Sequence, residues 1–508
     1  MLCPFEVNLD EGQMAAQAMR YGQDLTPWRS VEGETNGPLD SWFLLAAHDL
    51  GMPLNYQALH ILAALCLAAI LLATYAAARR LVGETAALVG LAAGSWWMAW
   101  APAPDYVHYS SELVPALLLS VALAVIAFAR QGSSGPSWRL GLIAGILLGL
   151  APWGKMQAGP VAVVLGLWAV ADGLLGNSAP VRVRRRYGLA LLAGAFLPCA
   201  ILLAWVASAG AWEEFWRIYI INGMNNGSAQ TWGAELKNLW GILTWYDNYP
   251  WIWDTALLAA GALWLRGRAG WKSVPPRIWP LALLWLATGL IVALRPVTQR
   301  PHYAILFLSP LVLCAGISAG ALLGGEGAAL ADPRRRRAWL IIAVALLPVP
   351  IANFFRYNYN QVVNAMLFSE QSHVFDGQVI LARAVRHFVP DPKSLAVWGW
   401  KPSLYVDLGL PPATRNAVYA FLTDGNPSQE FLRSGYMSDL EKSRPQVIVD
   451  VEDLVYHGIR RTAPETFPAL AQYLQENYVV AGSAEITKTA DYSMVIVIYS
   501  RVQNPSIQ

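Results

Sequence analysis

The sequence predicts a polytopic α-helical membrane protein with a C-terminal α/β domain, and three observations predict it. Of its 508 residues, 56% are apolar and only 14% are charged, which is far from the soluble average. About ten apolar stretches follow one another between residues 57 and 353. Arginine clusters fall in every second gap between those stretches, the alternation that the positive-inside rule produces.

Residues 1–56 precede the first apolar stretch. Asp10 to Gly22 reads as a short amphipathic helix with Met14, Ala18 and Tyr21 on one face, and Leu39 to Leu50 reads as a second. The turn between them is polar and contains glycine and proline, from Glu32 to Pro38. Spans are expected at about 57–78, 85–101, 112–129, 188–208, 251–265, 278–295, 303–323 and 338–353, with two shorter ones at 140–151 and 159–175. The short pair is interrupted by Ala151-Pro152-Trp153-Gly154-Lys155. A break at membrane depth is tolerated only where it is buried in protein or lines a cavity, so it marks a pocket.

The arginine clusters set the topology. Arg79-Arg80, Arg130 with Arg139, Arg182 to Arg186, Arg266 to Arg277, and Arg334 to Arg337 are expected in the cytoplasm. The alternate gaps then face the other side. They hold Asp10-Glu11, Asp105 to Glu112, Lys155, a loop at 209–250, Arg300 to Tyr303, and the C-terminal region. An outside N-terminal segment implies a further helix ahead of residue 1, making eleven spans in all.

The 209–250 loop is too long for a plain connector. Trp212, Trp216, Trp232, Trp240 and Trp245 suit amphipathic segments lying in the membrane interface. From about residue 370 the texture changes. Ser394 to Trp400, Pro445 to Val451 and Tyr492 to Tyr499 read as strands, and 376–388, 428–442 and 464–477 as helices. This extracytoplasmic α/β domain, 370–508, is large enough for its own core.

Composition also excludes several functions. The arginine clusters sit between apolar stretches and are a topological signal rather than a nucleic-acid footprint. Four cysteines, three of them inside expected helices, give no disulfide framework. There is no phosphate-binding Gly-rich loop, no His-Glu-x-x-His and no Cys-x-x-Cys pair, so ATP-driven transport and zinc hydrolysis have no motif here. Secondary transport stays open, because broken helices with intramembrane charges are its mark too. A non-catalytic membrane scaffold is the third alternative.

The candidate chemistry lies in the outward gaps. Asp10 and Glu11 suit the start of a helix, where acids complement the dipole and the free amides. They equally suit a general base that takes a proton from an acceptor hydroxyl. Asp105, His108 and Glu112 lie before and at the start of the third span. Glu112 is either an interfacial acid that reaches water or a functional intramembrane carboxylate. With Asp10 it makes a paired-carboxylate set for acid/base work or for a divalent cation. Lys155 in the broken pair suits a phosphate, or snorkels to the interface. Arg300 and His302, with Arg295 and Gln299 nearby, add a positive site for a phosphate headgroup, or form a plain charged loop.

Several short motifs together resemble a known family. Asn8-Leu9-Asp10-Glu11-Gly12-Gln13 followed by Ala16-Gln17-Ala18 resembles the acidic pair in the first outer loop of the GT-C membrane glycosyltransferases, the superfamily of the protein O-mannosyltransferases and bacterial aminoarabinose transferases. Leu25-Thr26-Pro27-Trp28-Arg29 and Asn36-Gly37-Pro38-Leu39 are similar to that loop's continuation, with fewer prolines and tyrosines than usual. Ser110-Ser111-Glu112-Leu113 resembles the second acidic position. Arg300-Pro301-His302-Tyr303 with Pro310 resembles the entry of a late helix, and Val397-Trp398-Gly399-Trp400 with Leu404-Tyr405 the start of the outer domain.

The resemblance implies a GT-C-like fold and an inverting glycosyltransferase, hexosyl or pentosyl, that uses a polyprenyl-phosphate sugar. The acceptor is a lipid, a glycan or a protein. It implies Asp10 as the base, with Glu11 and Glu112 as helpers that orient the acceptor or a divalent cation. Lys155, Arg300, His302 and Tyr303 become the donor-phosphate residues, and Asp105 and His108 acceptor or secondary residues. The implied location is a bacterial inner membrane, with the site and the C-terminal domain on the periplasmic side and membrane lipids around the spans.

Overall fold

A computed structural model describes residues 4–101, 106, 108–130, 135–175, 179–228, 232–244, 249–271, 275, 277–296, 300–323, 333–349, 351, 380–423, 425–453, 464–489 and 492–502. The chain forms two compact units. The first joins Met1–Ile61, Val206–Asn225 and Gln361–Gln508, and the second joins Leu62–Trp205 and Asn226–Asn360.

The first unit gathers three stretches that are far apart in sequence. Helix α1 (Leu9–Tyr21) starts at Asn8, whose side chain accepts from the Asp10 backbone N–H at 2.9 Å. That satisfies one of the free amides at a helix start. Helix α2 (Pro38–Asp49) starts on proline, which has no amide to leave unpaired. The C-terminal stretch forms a four-stranded sheet of order β1-β2-β4-β3, with β1 Leu395–Trp398, β2 Val447–Asp453, β3 Tyr478–Thr489 and β4 Tyr492–Arg501. Strand β1 runs parallel to β2, and the other pairings are antiparallel. Three of these strands match the sequence reading. The edge strand β3 was not expected, because Ser483, Glu485, Thr487 and Lys488 dilute its apolar pattern, as edge positions allow.

Helix α1 packs into that sheet domain. Ala16 belongs to one core with Leu395, Val397, Leu404, Tyr405, Val449 and Ile498. At Gly12 a Cβ would come within 2.9 Å of the Ser403 nitrogen, so the helix meets the 402–403 backbone directly. The Glu32 amide donates to the Arg415 carbonyl at 2.7 Å, and the Asn416 side chain donates to the Glu32 carboxylate at 3.2 Å. Arg415 in turn holds Asp439 with two side-chain hydrogen bonds of 2.9 Å each. Trp28, at φ 60°, packs on Phe215 and Tyr219, with ring centroids 4.9 and 5.2 Å away. Part of the expected 209–250 loop is therefore a π-helical segment, Phe215–Asn222, built into this unit.

The second unit is helical. It takes most of α3 (Tyr56–Val82), then α4 (Glu84–Ala99), α5 (Leu113–Ala129), α6 (Trp138–Leu150), α7 (Ala158–Leu175) and most of α8 (Val181–Ser208). After these come α9 (Trp232–Thr244), α10 (Tyr249–Trp271), α11 (Ile278–Leu294), α12 (Ile305–Leu323) and α13 (Pro333–Ala345). Among the described residues, four helical segments are long and apolar enough to cross a membrane: Tyr56–Val82, Ala158–Leu175, Val181–Ser208 and Pro301–Leu323. Leu113–Ala129, Trp138–Trp153 and Ile278–Leu294 are shorter apolar helices.

Helix α12 is buried on nearly every face, as an all-apolar helix must be, and packs against α4, α5, α10 and α11. Ser309 on α12 lies 3.0 Å from the Thr74 hydroxyl of α3 and 2.8 Å from the Ser120 hydroxyl of α5. Such buried hydroxyls tie apolar helices together.

Gly141, Gly145 and Gly149 of α6 repeat every four residues and face α8. A Cβ at Gly145 would lie 2.1 Å from the Leu191 carbonyl oxygen, and one at Gly149 would lie 2.2 Å from that of Ala195. The two backbones touch because these side chains are absent, the small-residue packing of membrane helices. Gly145→Ala is therefore expected to destabilise the protein in detergent by about 1–3 kcal/mol through overpacking. Gly166→Ala, whose Cβ would come no closer than 3.7 Å to a neighbour, is expected to be neutral or stabilising. Thermal unfolding of the two variants side by side checks this. Equal melting temperatures would mean that the α6–α8 contact is looser than described.

Candidate functional site

The sequence-predicted site residues fall into two groups, one in each unit. In the first unit, Asp10 and Glu11 sit in the first turn of α1. Because Asn8 makes the capping hydrogen bond, the Asp10 carboxylate is not needed for it, and Asp10 is half-buried. Glu11 is fully buried. One of its carboxylate oxygens lies 2.8 Å from His60 Nε2, and the other accepts from the Val7 amide at 3.0 Å. It pins the start of α1 to the start of α3.

Glu6 is buried beside this pair, with an oxygen 3.4 Å from Lys401 Nζ. Burial pushes its carboxyl up to about 7 although Lys401 pulls it down, and Glu11 adds to the rise. Asp407 is raised to about 6, chiefly by burial. A carboxyl raised on folding stabilises the folded state fully below its ordinary value of 4.5, and that contribution is lost as pH rises through about 7. Melting temperatures of wild type and Glu6→Gln from pH 5 to pH 8 should therefore diverge. The wild type is expected to lose on the order of a few kcal/mol relative to the variant on the alkaline side. Parallel curves would show that Glu6 titrates as an ordinary surface acid.

In the second unit the break in the short helix pair is where the sequence places it. A 3₁₀ turn, Ala151–Trp153, follows α6, and α7 begins at Ala158. Proline at 152 has no amide for a continuing helix, and the chain bends there. Lys155 lies in this bend and is 5% exposed. Its ammonium pairs with Glu112 Oε1 and donates to Ser111 Oγ at 2.7 Å. Glu112 is the residue just before α5 and is fully buried.

A second 3₁₀ turn, Pro301–Ala304, leads into α12 and brings two more predicted residues to the same place. His302 Nε2 lies 3.9 Å from Glu112 Oε2. The Tyr303 ring has its centroid 5.2 Å from Lys155 Nζ, close enough for a cation–π contact. The His108 ring stands edge-on to His302 at 5.3 Å, and His108 is fully buried. Five predicted residues thus converge: His108, Glu112, Lys155, His302 and Tyr303.

Others do not. Arg300 is exposed at the head of the turn, and Arg295 pairs with Glu235 of α9 at 3.4 Å. Asp105 and Gln299 lie outside the described residues. His108 and His302 offer imidazole nitrogens of the kind a zinc-class cation takes.

Sequence reading missed three contributors. Ser111, the acceptor of the Lys155 hydrogen bond, stands beside Glu112 with no local signal of its own. The Ser110 hydroxyl is buried beside it, with no hydrogen-bond partner among the described residues. His60 falls inside the first expected span, and an ionisable residue at the end of an apolar helix is itself a signal.

Taken together, the second-unit group is a buried lysine, a carboxylate, a hydroxyl, two imidazoles and a phenol ring at a helix break. These charges and hydrogen bonds lie in a low-dielectric place, where both count for more than in water.

No family model matches the sequence, and no curated protein matches it. Solved structures do. The aminoarabinose transferase ArnT from Cupriavidus metallidurans, bound to undecaprenyl phosphate, superposes with a TM-score of 0.55 at 18% identity, over 97% of this chain and 94% of that one. The same enzyme in its apo state gives 0.54 at 16% identity with the same coverage. At these identities the likeness is one of fold, and it spans both units and the C-terminal sheet. The chain is a membrane protein with the fold of the GT-C glycosyltransferases.

Proposed function

We propose that this protein is an inverting glycosyltransferase that moves a sugar from a polyprenyl-phosphate donor to an acceptor on the extracytoplasmic face of a bacterial inner membrane. The observation that carries the reading is the buried Lys155 at the helix break, with Ser111, His302 and Tyr303 around it. A cation so placed suits a lipid phosphate, which reaches membrane depth only from within the bilayer. The undecaprenyl phosphate bound by the Cupriavidus enzyme of like fold supports the same donor class here.

The chemistry follows from the residue types. The acceptor oxygen attacks the anomeric carbon on the face opposite the phosphate. The bond from that carbon to the phosphate oxygen breaks, and its electron pair leaves with the lipid phosphate. Lys155 meets the charge that develops on the leaving oxygen, which is where fixed charges contribute most to rate. Asp10 takes the acceptor's proton as general base. Glu11, held by His60 and the Val7 amide, fixes the turn that carries Asp10. Arg300 supplies a second, exposed cation to the phosphate. His108 and Asp105 serve the acceptor or act in a secondary role.

The test is release of free polyprenyl phosphate from labelled polyprenyl-phosphate sugars in membranes containing the protein. Acceptor-dependent release by the wild type, lost in Asp10→Asn while the lipid still binds, is the expected result. Absence of release from every polyprenyl-phosphate sugar, with the lipid still bound, would turn the reading toward a transporter of lipid-linked saccharide.

A further inference from the structure

The ammonium of Lys155 is already matched. Glu112, fully buried, is its ion-pair partner, and Ser111 accepts another of its hydrogens at 2.7 Å. Both members of the pair are out of water, with side chains 6% and 0% exposed. Buried charges that are paired lose their partners only in exchange for other partners. An incoming phosphate therefore meets a lysine whose charge the protein has cancelled, beside a carboxylate that repels it.

The charges change during the reaction. A polyprenyl-phosphate sugar is a phosphodiester with one negative charge, whereas the polyprenyl phosphate left behind is a monoester approaching two. The product is thus held more tightly by a bare lysine than the donor is. A site built only of cations would be slow to release its spent lipid.

We infer that Glu112 is the resident counter-anion of Lys155, competing with the lipid phosphate for the ammonium and returning to it as the product leaves. The inference rests on the reading that Lys155 receives the donor phosphate. It gives Glu112 a role in turnover different from orienting the acceptor. While the lipid is bound, the carboxylate turns to other donors: the Ser111 hydroxyl lies 3.4 Å and His302 Nε2 3.9 Å from its Oε2.

The experiment measures binding of undecaprenyl phosphate to the full-length protein in nanodiscs, for wild type, Glu112→Gln and Lys155→Gln. It is joined to single- and multiple-turnover assays. Glu112→Gln is expected to bind the lipid phosphate roughly tenfold more tightly, since a repelling unit charge a few ångströms away is removed. Its multiple-turnover rate should fall and show an initial burst, while the first turnover persists. Unchanged or weaker binding in Glu112→Gln, with Lys155→Gln binding lost, would overturn the counter-anion role alone. Wild-type binding in Lys155→Gln would overturn the phosphate reading and this inference together. Should Glu112→Gln fail to fold, Glu112→Asp draws the carboxylate back by one methylene. It is expected to tighten binding several-fold, and no tightening would count against the inference equally.

Discussion

Replacing Lys155 by glutamine is expected to lower transfer from a polyprenyl-phosphate sugar by about a thousandfold or more. Two losses combine. A hydrogen bond to a charged group is worth about 1.5–3 kcal/mol, and stabilisation of a developing oxyanion by one donor about 2.7–4 kcal/mol. The substitution also leaves the Glu112 carboxylate buried without its partner, which costs about 3–5 kcal/mol of stability. Activity must therefore be normalised to folded protein. The double variant Lys155→Gln with Glu112→Gln removes both charges and is expected to recover stability without recovering activity. Transfer within tenfold of wild type in folded Lys155→Gln would remove this residue from the donor site.

Asp10→Asn is expected to behave in the opposite way, with little effect on stability and a loss of about 10²–10⁴ in rate. The small structural effect follows from Asn8, whose side chain makes the cap, so asparagine at 10 leaves the start of α1 satisfied. The favourable charge near the helix start is lost, about 0.3–1 kcal/mol. A melting temperature shifted by a degree or two, with turnover gone and lipid binding intact, is the pattern of a missing base. A large melting shift with proportionate loss of activity would instead make Asp10 a structural acid. Asn8→Ala is the internal comparison, because it removes the cap and leaves the carboxylate.

Much of this was legible in the residues, for physical reasons that differ by region. Apolar runs and arginine clusters report the membrane directly, since length and charge are what a bilayer selects. The break at Ala151-Pro152-Trp153 was legible because proline cannot continue a helix and a lysine in an apolar setting needs a partner. That partner was not. Glu112 and Lys155 are 43 positions apart by number, and no local pattern joins a residue before one helix to a bend after the next. Strand β3 was hidden because an edge strand need not alternate. The membership of α1 in the C-terminal core was hidden for a deeper reason. Ala16 and Gly12 are small residues of an ordinary amphipathic helix and Glu32 belongs to the polar turn after it, and their partners at Leu404, Ser403 and Asn416 lie almost the whole chain away.

That last arrangement governs how the protein is made. Helix α1 emerges from the ribosome long before the strands whose core it completes. At about 5–20 residues per second, Ala16 waits on the order of half a minute for Leu404 to be synthesised. During that time the part of α1 that meets the sheet domain has no native surface to cover it, although α2 is already there to pack against. Closure of the first unit thus waits for the C-terminal residues and has a high contact order, the slow class of folding step. The α1 residues that meet the sheet domain, Gly12 and Ala16, therefore find those partners only once the C-terminal residues have been made, whereas Glu11 and His60 are both present from the start.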